Sequence, residues 1–219
     1  MILTDNQIRE LVFSDRPLIE DFNEESLQSE SYDLSIGDLI SRFDSGFKIV
    51  NLEQQESIDD LYFEQHIPQS GYLIGPKEYL LVSIKERINI PSTLTAHIRP
   101  KTKFTRIGLL ISGQHCNSSY SGNLSLGMYN ATGFAICIKP GMKIAQIVFE
   151  QLCASPSEQK LYCNKKNAVF QNEESIRGSD FRNESRQDNS TSDMFETLNS
   201  KPRAKELFNI LMEGFSGAR

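Results

Sequence analysis

At 219 residues with 38% apolar side chains, the chain suffices for one sizeable domain with appendages and does not call for a second full domain. The net charge of −6 conceals a segregation: residues 1–86 hold 18 acidic and 6 basic side chains, residues 87–149 hold seven basic ones and no Asp or Glu, and the remainder holds 11 acidic and 10 basic. A carboxylate-free basic block inside an acidic protein points to a local polyanion site such as a phosphate pocket, and away from a nucleic-acid surface spread over a domain. The competing explanation is that these cations pair with acids of the first block, across strands or subunits.

The opening MILTDNQIREL sets Asp5 and Glu10 among its apolar residues, with no basic stretch leading into an apolar run. Neither a signal peptide nor a membrane span is expected, and the expected location is the cytoplasm. Thr4-Asp5-Asn6-Gln7 fits a capping box that starts a short amphipathic helix with Ile8, Leu11 and Val12 on one face. SYDLSIGDLISRF alternates Tyr32, Leu34 and Ile36 before Gly37-Asp38, which predicts a strand and hairpin. Residues 51–69 are acidic and weakly patterned, as expected of a loop or insertion.

Strand signals then come densely: GYLIGPKEYLLVSI, ERINIPSTLTAHIRP, FTRIGLLIS, SGNLSLGMYN, FAICIKPGM and KIAQIVFEQL. Short strands at this spacing, separated by turn dipeptides such as Gly75-Pro76 and Pro140-Gly141, predict an all-β sandwich, jelly roll or barrel with no helix-length pattern inside it. Cys116, Cys137, Cys153 and Cys163 form no CxxC pair, so reduced, mostly buried thiols are expected and no zinc site. From 182 to 201 the sequence is polar and reads as a linker. Residues 202–219, beginning at Pro202 with Leu207, Phe208 and Leu211 near one face, read as a C-terminal amphipathic helix. Such a helix docks on its own subunit or a neighbour, with a protein partner as the sharper alternative.

Four pieces in order, ILTDNQI, SYDLSIGD, RPKTKFTRIGLL, and YSGNLSLGMYN followed by KPGMKIAQIVFEQL, resemble the dCTP deaminase family, which is related to the trimeric dUTPases. The likeness covers most of residues 1–181. It implies a mainly β, dUTPase-like distorted jelly roll or barrel, assembled as a homotrimer with nucleotide sites at the subunit interfaces. It also implies no tightly bound cofactor, any Mg²⁺ riding on a triphosphate ligand. The family's phosphate-contacting R-S-S-x-x-R-x-G stands here as Lys101, Thr102, Lys103, Arg106 and Gly108. Charge and hydroxyl survive, although lysine lacks arginine's planar fork. The aromatic that packs on the deoxyribose matches Tyr120, and the tyrosine of the C-terminal segment matches Tyr162. That segment's lysine matches Val169, and its glutamine falls at Glu173.

The resemblance also identifies what is missing. The glutamate that serves dCTP deaminases as general base matches Gly127, and the water-orienting aspartate of dUTPases matches Asn117. Asparagine cannot take a proton, and no carboxylate stands anywhere from Arg87 to Phe149, whereas general-base catalysis needs a titratable group within reach of the attacking water. His115 reads as a satisfied polar histidine rather than a substitute base. The expected function is binding of a pyrimidine deoxynucleotide or another phosphorylated ligand, as a sensor, sequestering protein or regulator without catalysis. The alternatives are an active divergent dCTP deaminase or dUTP hydrolase, to which a carboxylate enters from elsewhere, and a trimeric protein-interaction scaffold.

Overall fold

A computed structural model describes residues 1–43, 50–52 and 54–182. The predicted linker from 183 onward and the predicted C-terminal helix lie outside the described residues. Two compact units emerge: the first comprises Met1–Phe43 and Phe63–Arg177, and the second comprises the described parts of Asp44–Tyr62 and of the chain from Gly178.

The first unit opens on helix α1 (Asp5–Val12), which the capping sequence begins as expected. The Thr4 N–H donates to Gln7 Oε1 at 3.0 Å, and Ile8 and Val12 are buried. Strands follow as β1 (Tyr32–Phe43), β2 (Tyr62–His66), β3 (Tyr72–Ile74), β4 (Tyr79–Asn89), β5 (Leu94–Pro100), β6 (Leu109–Ile111), β7 (His115–Cys116), β8 (Ser121–Asn130), β9 (Ile136–Ile138) and β10 (Lys143–Gln151). The main sheet runs β6-β8-β4-β1-β10-β5-β7, with β2 also on β1, and β3 pairs with β9. The fold is therefore mainly β, its main sheet curled into a half-barrel. Leu34, Ile36, Ile40, Leu80, Val82, Leu126, Met128 and Ile147 from four adjacent strands are fully buried, each contributing about 1.5–3 kcal/mol.

Several local expectations change. Gly37-Asp38 does not end a strand: β1 runs through it with a register shift between Ile36 and Ile40. There the Ser83 hydroxyl bonds both the N–H and the carbonyl of Leu39, each at 3.1 Å, and so satisfies backbone groups that the bulge leaves unpaired. Within the acidic stretch 51–69, a five-residue helix α2 (Gln55–Asp59) precedes β2. A second five-residue helix, α3 (Thr102–Arg106), interrupts the β-rich block. Pro140-Gly141 does turn, with Gly141 at φ +80°, a conformation open to glycine. Of the four cysteines only Cys116 is buried; Cys137, Cys153 and Cys163 are exposed, because they fall on an outward position of β9 and in the segments after β10. All four are free thiols.

In the second unit, Gln55 donates to the Ser179 carbonyl at 2.9 Å and accepts from the Phe181 N–H at 2.9 Å, while Tyr62 Oη accepts from the Ser179 N–H at 3.1 Å. No helix among the described residues is long and apolar enough to cross a membrane.

Candidate functional site

Strand β8 organises the residues that the sequence singles out. At its start, Asn117–Tyr120 form a tight turn closed by the Tyr120 N–H on the Asn117 carbonyl at 3.2 Å, with Ser119 at φ +66°. Tyr120 is 5% exposed and its ring lies 5.9 Å from that of Tyr162. Its hydroxyl has no hydrogen-bond partner among the described residues, and burial drives its pKa far above the phenol range.

Residues 162–177 form an arm that lies along this end of β8. The Tyr162 N–H donates to the Ser118 carbonyl at 3.2 Å, the Cys163 N–H to Ser119 Oγ at 3.1 Å, and the Asn172 N–H to the Ser121 carbonyl at 2.7 Å. Glu173 then pairs with Gly122 in a parallel bridge, its carbonyl accepting from the Asn123 N–H at 2.7 Å. Only glycine fits at 122: φ is +154°, and a Cβ would meet Tyr120 Oη at 2.8 Å and Glu173 N at 2.9 Å. Arg177 ties the arm to itself through the carbonyls of Val169, Gln171 and Asn172.

The arm brings in a carboxylate that the basic block lacks. Glu173 is 3% exposed, and its Oε1 accepts from Ser125 Oγ and from the Arg177 N–H, both at 3.0 Å. Burial raises its pKa, against those two donors. Glu86 on β4 is the second such group, 4% exposed, accepting the Ser35 N–H at 2.9 Å and likewise pushed up by burial. Sequence reasoning marked Glu173 only as a departure from the family and missed Glu86, although the alternation that buries Leu80, Val82, Ile84 and Ile88 places Glu86 in the same row of β4.

The basic residues divide. Lys101 Nζ lies 2.6 Å from Asp33 Oδ2, with the Asp33 side chain 5% exposed and its Oδ1 without a hydrogen-bond partner among the described residues. Arg87 faces Glu20 at 3.6 Å and Glu174 at 3.9 Å. By contrast Thr102, Lys103 and Arg106 on α3 are exposed; Lys103 lies over the Phe104 ring at 5.1 Å, and Arg106 makes no ion pair among the described residues. Helix α3 leads into β6, which pairs with Met128–Asn130. The α3 group thus sits by the far half of β8, roughly 20 Å of strand from Gly122. One chain brings Asn117, Tyr120, Tyr162 and Glu173 together, and holds Thr102, Lys103 and Arg106 apart from them.

Between these groups lies Gly127, buried and paired with Leu81 of β4. Its N–H donates to Ser112 Oγ and its carbonyl accepts the Ser112 N–H, both at 2.8 Å. His115, read from sequence as a satisfied polar histidine and not as a base, is exposed on β7, with its ring 4.9 Å from that of His97. Its pKa falls below the usual imidazole range, mainly through desolvation and then through His97, so it is neutral at pH 7. The buried Cys116 thiol is pushed up to about 12 and is inert as a nucleophile. A separate cavity of about 440 Å³ opens at the β1 and β4 bulges, lined by Ile36–Leu39, Ser83–Lys85, Asn123, Pro140, Gly141 and Glu174; none of the residues proposed from sequence lines it.

Comparison with known proteins matches residues 2–152 to the dCTP deaminase-like family. The chain is 31% identical over 158 residues to the dUMP-forming dCTP deaminase of Hydrogenobaculum sp., covering 72% of this chain and 86% of that protein. It is 32% identical over 152 residues to the dCTP deaminase of Pyrococcus horikoshii, covering 69% and 83%. Among solved structures, the 2'-deoxycytidine 5'-triphosphate deaminase of Agrobacterium tumefaciens superposes with a TM-score of 0.55 at 22% identity, over 68% of this chain and 46% of that one, a likeness of fold. With the family match spanning more than two thirds of its length, the chain belongs to the dCTP deaminase-like family.

Proposed function

We propose that this protein is a homotrimeric, cytoplasmic binder of pyrimidine deoxynucleotides, or of a closely related phosphorylated ligand, in which the family's deamination is silent, so that it acts as a sensor, sequestering protein or regulator. The observation that carries the reading is Gly127: at the position of the family's general base there is no side chain at all, and residues 87–149 supply no carboxylate to replace it. A base within hydrogen-bond reach of water contributes about 10²–10⁴ in rate, and Asn117 cannot take over as proton acceptor.

Thr102, Lys103 and Arg106 are the exposed groups that would meet the phosphate chain and any Mg²⁺-bound triphosphate, while Lys101 is held by Asp33. Asn117, Tyr120 and Tyr162 would meet the sugar and base. The distance along β8 between the two groups supports assembly, because a neighbouring subunit's α3 could complete what one chain leaves open.

A second reading, an active divergent deaminase or dUTP hydrolase, has one observation in its favour. Glu173 reaches Ser125, two residues from Gly127 on the same face of β8. Purified protein incubated with dCTP and with dUTP separates the two: the proposal expects neither ammonia nor pyrophosphate release above background. Turnover of about 1 per second, an ordinary enzyme rate, would establish the second reading instead. A melting-temperature rise with deoxynucleotides separates a binder from a protein-interaction scaffold.

A further inference from the structure

The space in front of Gly127 is not empty. An ideal Cβ built there overlaps the Tyr79 hydroxyl and lies 3.1 Å from both Cε2 and Cζ of the same ring. Tyr79 begins β4 and pairs with Tyr129, two residues beyond Gly127 on the same face of β8, so its ring leans along the strand over the glycine. The ring is 38% exposed and stacks on Phe43 with centroids 5.3 Å apart and planes at 23°, a contact that swinging aside would give up. Backbone conformation does not demand glycine at 127, because Gly127 is absent from the positive-φ positions of the chain. What a side chain there meets is the volume of the Tyr79 ring.

We propose that Tyr79 has taken over the side-chain space of position 127, so that an aromatic ring, in place of a carboxylate and the water beside it, shapes the ligand site at this point. The ligand part of this inference rests on the reading of the site as a nucleotide site; the exchange of volume does not. Loss of the base and loss of its room are then one event. Restoring a glutamate at 127 while Tyr79 remains forces either the ring off Phe43 or the carboxylate out of the pocket.

The test is a double-mutant cycle on melting temperature with Gly127→Glu, Tyr79→Ala and the pair. Gly127→Glu alone should lower the melting temperature by about 3–10 °C, and most of that penalty should vanish in the Tyr79→Ala background. An equal penalty in both backgrounds overturns the proposal. Gly127→Ala, which adds one methyl and no charge, gives the same comparison if the glutamate variant does not fold.

The ligand arm uses dCTP and dUTP as probes. If they stabilise the wild type, Tyr79→Ala should change their apparent dissociation constants about tenfold, and unchanged constants would remove Tyr79 from the ligand site. If neither nucleotide stabilises any variant, the nucleotide-binding function falls, while the melting-temperature cycle still decides whether Tyr79 holds the space of residue 127.

Discussion

Charges in the first unit are treated in two ways. Lys101 and Asp33 meet at 2.6 Å in a largely buried pair, whereas Lys103 and Arg106, two and five residues further on, are left exposed on α3. The acids divide similarly: Asp33 has its lysine, while Glu173 and Glu86 are buried against hydrogen-bond donors and pushed toward the protonated form. The segregation of charge along the chain therefore has two origins. Part of the basic block holds the fold together, and part is presented outward without an ion-pair partner among the described residues. Removing a buried partner strands the other charge in low dielectric, whereas removing an exposed cation costs the fold little, so the two groups should respond oppositely to mutation and to ligand.

The largest effect should come from the paired group. Lys101→Ala leaves the Asp33 carboxylate buried with no cation and only the Gln28 amide donating to it at 3.5 Å, a loss of about 3–5 kcal/mol and so roughly 10 °C in melting temperature for a chain of this size. The double change Asp33→Asn with Lys101→Met should recover most of it; equal losses in the single and double variants would mean that the pair is not a unit. Thermal denaturation followed by circular dichroism suffices.

Glu173→Gln should act in the other direction and only at higher pH. Burial raises the folded-state pKa of Glu173 above its unfolded value. Its contribution to stability is thus fully present below the ordinary glutamate range and is lost as pH rises through the raised folded value. The glutamine variant, which keeps an acceptor for Ser125 and loses the titration, should melt a few degrees higher than wild type at pH 8 and equally at pH 4. A variant that is less stable at pH 8 would show that the ionised carboxylate, not the acid, is what the site holds. Smallest of all should be Arg106→Ala without ligand, within about 1–2 °C of wild type. A deoxynucleoside triphosphate that stabilises the wild type by about 2.7 kcal/mol at 100 times its dissociation constant should lose most of that effect in the variant. If Arg106→Ala lowers the ligand-free melting temperature strongly, Arg106 belongs with the structural group.

Much of the fold could be read in the chain because its signals are local. The capping sequence starts α1, and the closely spaced apolar runs become the strands of the sheet. Pro140-Gly141 turns because glycine accepts a positive φ. What could not be read is either short or non-local. Helices α2 and α3 are five residues each, too brief for a 3.6-residue period to register, and β2 becomes a strand through pairing with β1. Burial of Glu173 under the arm, and the reach of Tyr79 over Gly127, depend on contacts between segments more than forty residues apart in sequence, whereas Glu86 was missed although it shares the alternating row of β4. The cysteines were misjudged because a residue type's average burial says nothing about which face of a strand it occupies. Gly127 itself was legible as an absence; the ring that fills the absence was not.

The most direct test of the central claim is ammonia release from dCTP, with Mg²⁺, by the purified wild type at pH 7–8, alongside a dCTP-induced melting shift on the same preparation. The account predicts a measurable shift with no ammonia above the rate without protein. Sustained release at about 1 per second that disappears in Glu173→Gln would contradict it, and would make the buried arm carboxylate the base that Gly127 no longer provides.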